Sequence, residues 1–382
     1  MILKYSASCQ LVGDQVVVLA GYLASGDVKI VYRGTFPTAE SGLTAALDQA
    51  VKAMNKAVGS NLFCLSLMAA TPNGVFMQKS VPSLIDENGY TKAKARRLLS
   101  AATEFGAKEG FNLSTYAMGY ASLDESGRVK DYTARFPENR RCNRAVLVAL
   151  LSRGVDDELP KVGEIGTKFR IYPAVAGVAR LIRSSGVTGK NFFILEAERD
   201  QSMLVDVKLF NPYDRCLRLT GLESLYQRVA EKTGLSSERV ATLAHLFGIG
   251  SVEHCTGELF AGVDPAAFRQ ALAAELNGWV DEIGKGLASL PLSGDYPIFL
   301  DGEADRIHGF AQLLGERLKR PVDRVRSQAL GARDAGMEAL VGGLMMNDDM
   351  IWNFPRDEWN PRIGRTGEIP TTTAEGGTGD ER

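Results

Sequence analysis

Residues 193–219 read FILEAERDQSMLVDVKLFNPYDRCLRL, and this stretch decides the fold. Phe192–Leu195, Met203–Leu209 and Arg215–Leu219 are short apolar or alternating runs separated by polar turns, which predicts a three-stranded meander. Helical periodicity follows over Leu222–Thr233 and Ser237–Phe247. It continues in a long helix over Pro265–Leu290, with Phe268, Leu272, Leu276, Trp279, Ile283 and Leu287 on one stripe. Ile298–Leu300 then reads as a short buried strand. Ala304–Lys319 reads as a helix, Val322–Arg326 as a strand and Asp334–Met346 as a last helix.

The first half repeats that plan. A strand over residues 1–9, Gln15–Ala24 and Val28–Thr35 form a meander, with Ser25-Gly26-Asp27 turning between the last two. Thr38 or Ser41 caps a helix running to Val58, whose Leu43, Ala46, Leu47, Ala50, Val51, Met54 and Ala57 share one face. Leu62–Ala70 is continuously apolar, as expected of a strand in a sheet covered on both sides. Val75–Lys79 follows a Pro-Asn-Gly turn and ends at Val81-Pro82.

Between 83 and 165 the pattern changes. A helix at Lys92–Gly106, strands at Ser114–Ser122 and Ala145–Leu151, and an acidic helix start at Asp156-Asp157-Glu158 make a small α+β unit that reads as an insertion. Phe169–Pro173 and a helix over Ala174–Ser184 return to the first unit, and Gly186–Lys190 crosses to the second. The two halves share an order of elements and no evident sequence identity.

Composition narrows the function. At 382 residues the chain exceeds one ordinary core, and 45% hydrophobic with 24% charged residues is globular. A formal net charge of -2 and no basic block argue against nucleic acid or an anionic membrane as a partner. The cysteines, 9, 64, 142, 216 and 255, show no CxxC spacing, which suits a reducing cytoplasm and offers no metal site. The N-terminus lacks the continuous apolar core of a signal peptide, and no run of 18 apolar residues predicts a membrane helix.

The order of elements resembles the actin-like ATPase superfold, ribonuclease H-like in each lobe. It is most similar to the family of the type IV pilus assembly protein PilM, itself similar to the cell-division protein FtsA. Val28–Pro37 with its helix, Leu62–Ala70 and Val75–Pro82, Phe193–Leu219, and Phe299–Arg320 (FLDGEADRIHGFAQLLGERLKR) carry the likeness by pattern. It implies a two-lobed α/β protein with an inserted α+β subdomain. Residues 1–82 and 166–187 would form the first lobe core and 83–165 the insertion. Residues 188–220 and 291–346 would form the second lobe core and 221–290 a helical subdomain, with an aromatic, then disordered tail at 347–382.

The resemblance also implies where nucleotide would lie. In such folds one hairpin turn per lobe wraps the phosphates with backbone N–H groups, and a carboxylate orients Mg²⁺. Here the first turn is expected at Ser6-Ala7-Ser8-Cys9-Gln10, with Ser6, Ser8 and Gln10 as contacts, and has neither Asp nor Gly. The second is expected at Glu196–Ser202, with Glu196 and Arg199 as contacts; it is charged and lacks the glycine that permits close approach to an anion. Gly302 and Glu303, after Asp301, resemble the loop that lies against base and ribose. The implied cofactor is ATP with Mg²⁺, bound by a degenerate site with no catalytic residue or dedicated metal ligand assigned.

The implied partner is a bitopic, PilN-like inner-membrane protein of a pilus or type II secretion-like machine. It would present a short cytoplasmic peptide to a groove walled by the insertion, holding a cytoplasmic protein at the membrane; self-association stays open. Trp352, Phe354 and Pro355, in an apolar stretch beyond the last helix, are the residues expected to dock on the body or on that partner. The rival readings are an active ATPase or phosphotransferase of the same superfold, using Glu196, Glu198, Asp200 and Asp301, and a filament-forming protein. His245, His254 and His308 have no partner evident in sequence and read as structural.

Overall fold

The computed structural model describes residues 4–39, 42–69, 76–84, 114–123, 129–133, 144–152, 169–186, 191–207, 216–250, 260–290, 295–330 and 336–353, with isolated positions between 91 and 126. Two five-stranded sheets organise it. In the first, β1 (Ser6–Val12), β2 (Gln15–Ala24) and β3 (Asp27–Pro37) form an antiparallel meander. Strands β4 (Cys64–Ala69) and β9 (Phe169–Pro173) add in parallel, giving the order β3-β2-β1-β4-β9. In the second, β10 (Phe192–Ala197), β11 (Gln201–Val207) and β12 (Cys216–Thr220) form the meander. Parallel β13 (Ile298–Gly302) and β14 (Val322–Arg324) complete the order β12-β11-β10-β13-β14. Each sheet runs third, second, first, fourth, fifth, so the duplication expected from the order of elements is present in the topology.

Both faces of both sheets are covered. Helix α1 (Gly42–Val58) packs its Ala46, Leu47, Ala50, Val51 and Met54 onto Ala7, Cys9, Val16 and Val18 of the first sheet. Helices α2 (Ala174–Ser184) and α7 (Glu338–Asn353) fill the space between the sheets. The outer face of the second sheet carries α3 (Leu222–Thr233), α4 (Ser237–Leu246), α5 (Pro265–Ser289) and α6 (Phe310–Leu318). Strand β10 shows why its run is unbroken. Phe192 and Ile194 join the central cluster, Phe193 and Leu195 the outer one, and all four are fully buried. Each contributes about 1.5–3 kcal/mol relative to an exposed side chain.

Helix α5 is specified locally. Asp264 caps it by accepting from the backbone N–H groups of Ala266 (3.1 Å) and Ala267 (3.3 Å), and Pro265 occupies its first turn. The Trp279 stripe is core, as its spacing implies: the indole stacks on Phe310 at 5.2 Å and donates to the Thr220 carbonyl at 3.0 Å.

Where α2 crosses α7 there is no room for side chains. A Cβ on Gly342 would collide with the Gly177 carbonyl, and one on Gly177 with the Ala339 carbonyl. On the neighbouring face a Cβ on Gly343 would collide with Ser8 Oγ and lie 2.7 Å from Met68 Sδ. Asn347 pins the same helix to the sheet. It is fully buried, donates to the Ala7 carbonyl (2.8 Å) and Ser66 Oγ (3.1 Å), and accepts from Cys64 Sγ at 3.4 Å.

Several sequence expectations change here. Helix α7 runs to Asn353 instead of ending at Met346, because the sheet satisfies the polar Asn347 that reads as a stop. Trp352 therefore belongs to its last turn, while Phe354 and Pro355 lie outside the described residues. The helix expected over Ala304–Lys319 is a 3-10 turn, Glu303–Arg306, and then α6, separated by Gly309 at φ +85°. Strand β5 (Phe76–Leu84) does not join the first lobe's sheet. It pairs antiparallel with β8 (Arg144–Ser152) in a four-stranded sheet with β6 (Ser114–Leu123) and β7 (Val129–Thr133), ordered β5-β8-β6-β7 and inserted between β4 and β9. Alternation shows that a segment pairs, and says nothing of which sheet receives it. Asp156-Asp157-Glu158 and His254 fall outside the described residues.

The crossing gives a direct contrast between two helical glycines. Gly342→Ala should lower the stability by about 1–3 kcal/mol through overpacking. Gly278→Ala in α5, where a Cβ meets nothing within 4 Å, should raise it by up to about 1 kcal/mol. Denaturant unfolding of the two variants beside the parent reads both signs.

Candidate functional site

The C-terminal ends of β1 and β10, each followed by a hairpin, are equivalent places in the two lobes. The first hairpin is not where the sequence suggests. Ser6–Gln10 lies within β1, with Ser6 and Ser8 buried against the core and Gln10 half-buried, so none of the three forms a turn. The small polar letters of SASCQ mimic a turn but are selected by the close packing of α1 and α7 on either side. The turn is Gly13-Asp14, two residues long, closed by the Val12–Gln15 pair and opened by Gly13 at φ +55°. Leu11 and Val12, 44% and 54% exposed, precede it. The Gly-Asp pair between two apolar strands was the available signal.

The second hairpin falls inside the expected stretch. Glu196 and Ala197 end β10, Gln201 and Ser202 begin β11, and Glu198-Arg199-Asp200 make the turn. The Glu198 N–H closes it onto the Gln201 carbonyl at 3.2 Å. Its carbonyls are used as well: the first N–H groups of α3, Leu222 and Glu223, donate to the carbonyls of Glu198 (3.1 Å) and Arg199 (2.9 Å). The turn thus caps a helix that has no side-chain cap of its own.

The Arg199 side chain is also engaged. Its Nε donates to Glu303 Oε1 at 3.3 Å and its Nη1 to Glu238 Oε1 at 3.0 Å. Glu303 Oε1 lies 3.3 Å from His245 Nε2, and His245 Nε2 lies 3.4 Å from the Tyr226 hydroxyl. Glu303 is therefore an internal acceptor. Burial pushes its pKa up, but hydrogen bonds from His245 and Arg199 outweigh that and leave it lowered. Sequence reasoning missed Tyr226 and Glu238, and named His245 without its partners, because partners on separate helices leave no spacing signal.

Beside this network lies a second acidic group, offset in part by Arg306 and by the Arg324–Asp305 ion pair at 2.9 Å. Glu196 is opposite Asp301 in the parallel β10–β13 register. Burial, then Glu198, raises Glu196 to about 7. Asp301 is pushed well above the carboxylate range by burial, then by Glu196, Glu338, Glu198 and Asp305. Glu198 is exposed as a residue, but its carboxylate turns inward over Gly302, where an added Cβ would come within 2.7 Å of its Oε1. Burial and then Glu303 raise it to about 7. Gly302, at φ +85°, is the bend that lets the ends of β10 and β13 approach. A small pocket lined by Asp301, Gly302, Asp305, Arg306, Val325, Gly336 and Glu338 opens here. Glu338, the first residue of α7, accepts from the Gly336 N–H at 2.8 Å. Among the described residues no three His, Cys, Asp or Glu groups are placed to hold a metal ion together.

No protein-family model matches the chain, and no curated protein is significantly similar to it in sequence. Solved structures are similar to it in shape. The PilM-PilN type IV pilus biogenesis complex matches 90% of this chain and 98% of its own, with a TM-score of 0.52 and 12% identity. A diol dehydratase-reactivating factor in nucleotide-free form matches 91% of this chain and 100% of its own, with a TM-score of 0.50 and 10% identity. A ROK family glucokinase from Streptomyces griseus, in complex with glucose and AMPPNP, matches 90% and 98% at a TM-score of 0.45 and 13% identity. The chain has the two-lobed α/β fold of the actin-like ATPases. At these identities the likeness is one of fold.

The raised carboxylates carry a pH signature. A carboxyl whose folded pKa is about 7 binds more protons folded than unfolded, so its contribution to stability falls as pH rises from about 4.5 to about 7. Glu196→Gln should match the parent near pH 4.5, become the more thermostable of the two by pH 7, and hold that margin at pH 8. Melting curves of both proteins across that range provide the check.

Proposed function

We propose that this protein is a scaffold resembling PilM, which works by binding a partner and does not hydrolyse nucleotide. The observation that supports the loss of catalysis is the occupied second hairpin. Its carbonyls cap α3, its one arginine is shared between Glu303 and Glu238, and the space beside it is lined by Asp301, Asp305 and Glu338 together with the cation of Arg306. A triphosphate brought there without a cation would meet an excess of like charge. The first hairpin offers a two-residue turn with its own carboxylate, Asp14, and exposed apolar Leu11 and Val12 before it. In this reading the occupied second hairpin, and not the carboxylates, which suit Mg²⁺, is what disfavours ATP.

The fold likeness to the PilM-PilN complex, spanning nearly both chains, supports a membrane-associated partner of the PilN kind. The partner would offer a short extended cytoplasmic peptide. In this reading the inserted sheet, β5-β8-β6-β7, walls the groove that receives it, and the peptide would gain backbone hydrogen bonds by pairing with an edge strand. No helix among the described residues is long and apolar enough to cross a membrane, so the protein would be held at the bilayer by that partner.

One observation favours the rival, an active phosphotransferase. Glu196 and Glu198, each with a pKa of about 7, are poised as general bases would be. Titration with Mg-ATP separates the two. The scaffold should give neither binding heat nor phosphate release at millimolar nucleotide. Turnover that disappears in Glu196→Gln would establish the enzyme instead.

A further inference from the structure

We propose that Arg199 is a built-in clasp, which fixes helix α4 against the second sheet without any ligand. This goes beyond the pilus reading and does not depend on it. Four elements meet at Arg199. Its carbonyl accepts from Glu223 at the start of α3 (2.9 Å). Its guanidinium reaches Glu238 in the first turn of α4 (3.0 Å) and Glu303 in the 3-10 turn after β13 (3.3 Å). Glu303 returns to the other end of α4 through His245 (3.3 Å), which the Tyr226 hydroxyl of α3 approaches to 3.4 Å. Both ends of α4 are thereby tied to the hairpin and to the strand end on which the second sheet is built. The rest of the helix is held by Val240, Ala241, Leu243 and Ala244 in the outer core.

The two legs of the clasp are unequal. The side chain of Glu303 is 13% exposed, Arg199 36% and Glu238 79%. An ion pair to a side chain as open as Glu238 is screened by solvent and salt and contributes little. The bond to Glu303 lies in a partly desolvated site, shares its acceptor oxygen with His245, and carries the hold. Its place is the hairpin that the fold equivalence of the two lobes sets at the inner end of β10. The position of α4 is thus decided by the chain itself.

Hydrogen–deuterium exchange on the full-length chain at pH 7 tests this. In Arg199→Met, amides of Ser237–Leu246 should exchange about tenfold faster while those of β10 and β13 stay unchanged. Glu303→Gln should reproduce that pattern, Glu238→Gln should stay within about twofold of the parent, and Arg199→Lys should fall between parent and Arg199→Met. The proposal is overturned if α4 exchanges at the parent rate in Arg199→Met. It is also overturned if α4 and the strands accelerate together, which would mark a general loss of stability. A larger effect of Glu238→Gln than of Glu303→Gln would equally refute the assignment of the legs.

Discussion

Helices α2 and α7 cross backbone to backbone at Gly177 and Gly342, in the layer between two sheets. That approach sets the distance between the lobes. A side chain at either glycine would push the helices apart, and the two sheets packed on them would separate in turn. Asn347 adds direction to the contact. Its amide bonds Ala7 and Ser66 fix how far α7 slides along the first sheet, and with it where Glu338 stands at the other end. In this register the buried Asn347 is bonded to Ala7, Ser66 and Cys64, so packing and hydrogen bonding favour one arrangement.

On this frame the second lobe presents an unusual electrostatic arrangement. Burial raises Glu196, Glu198, Asp301 and Glu338, and Asp301 is raised further by the other three, while Arg199 and His245 serve Glu303 alongside them. Positive charge is present but committed inside the chain. At the end of β10 the turn's carbonyls and its arginine are engaged by the protein's own groups, and a small pocket stays open beside Asp301. A site so arranged costs stability at neutral pH, and the cost falls on the lobe that also carries the clasp.

Much of this architecture is legible in the letters, and the exceptions share a cause. Periodicity finds β10, whose alternate residues face two different cores, and α5, whose cap and stripe are both local. The duplicated topology follows from the order of such elements. Ser6–Gln10 misleads because small residues serve equally for a turn and for a strand pressed between helices, and only the three-dimensional neighbours distinguish them. Asn347 reads as a helix end because its partners, Ala7, Ser66 and Cys64, lie at the opposite end of the chain. The contacts of Arg199 with Glu303 and Glu238, and of His245 with Tyr226, are long-range for the same reason. The second hairpin could be located from its charged letters, but what its arginine does could not.

A protein whose lobes are spaced by a glycine crossing, and whose second hairpin is filled from within, should keep its shape whether or not nucleotide is present. Such constancy suits a scaffold, which must offer the same surface to a partner at all times. An actin-fold enzyme would instead be expected to move its lobes as nucleotide binds. Small-angle X-ray scattering of the full-length chain, with and without millimolar Mg-ATP, measures this. The expected result is superimposable curves, and a compaction of the particle on adding nucleotide would contradict it.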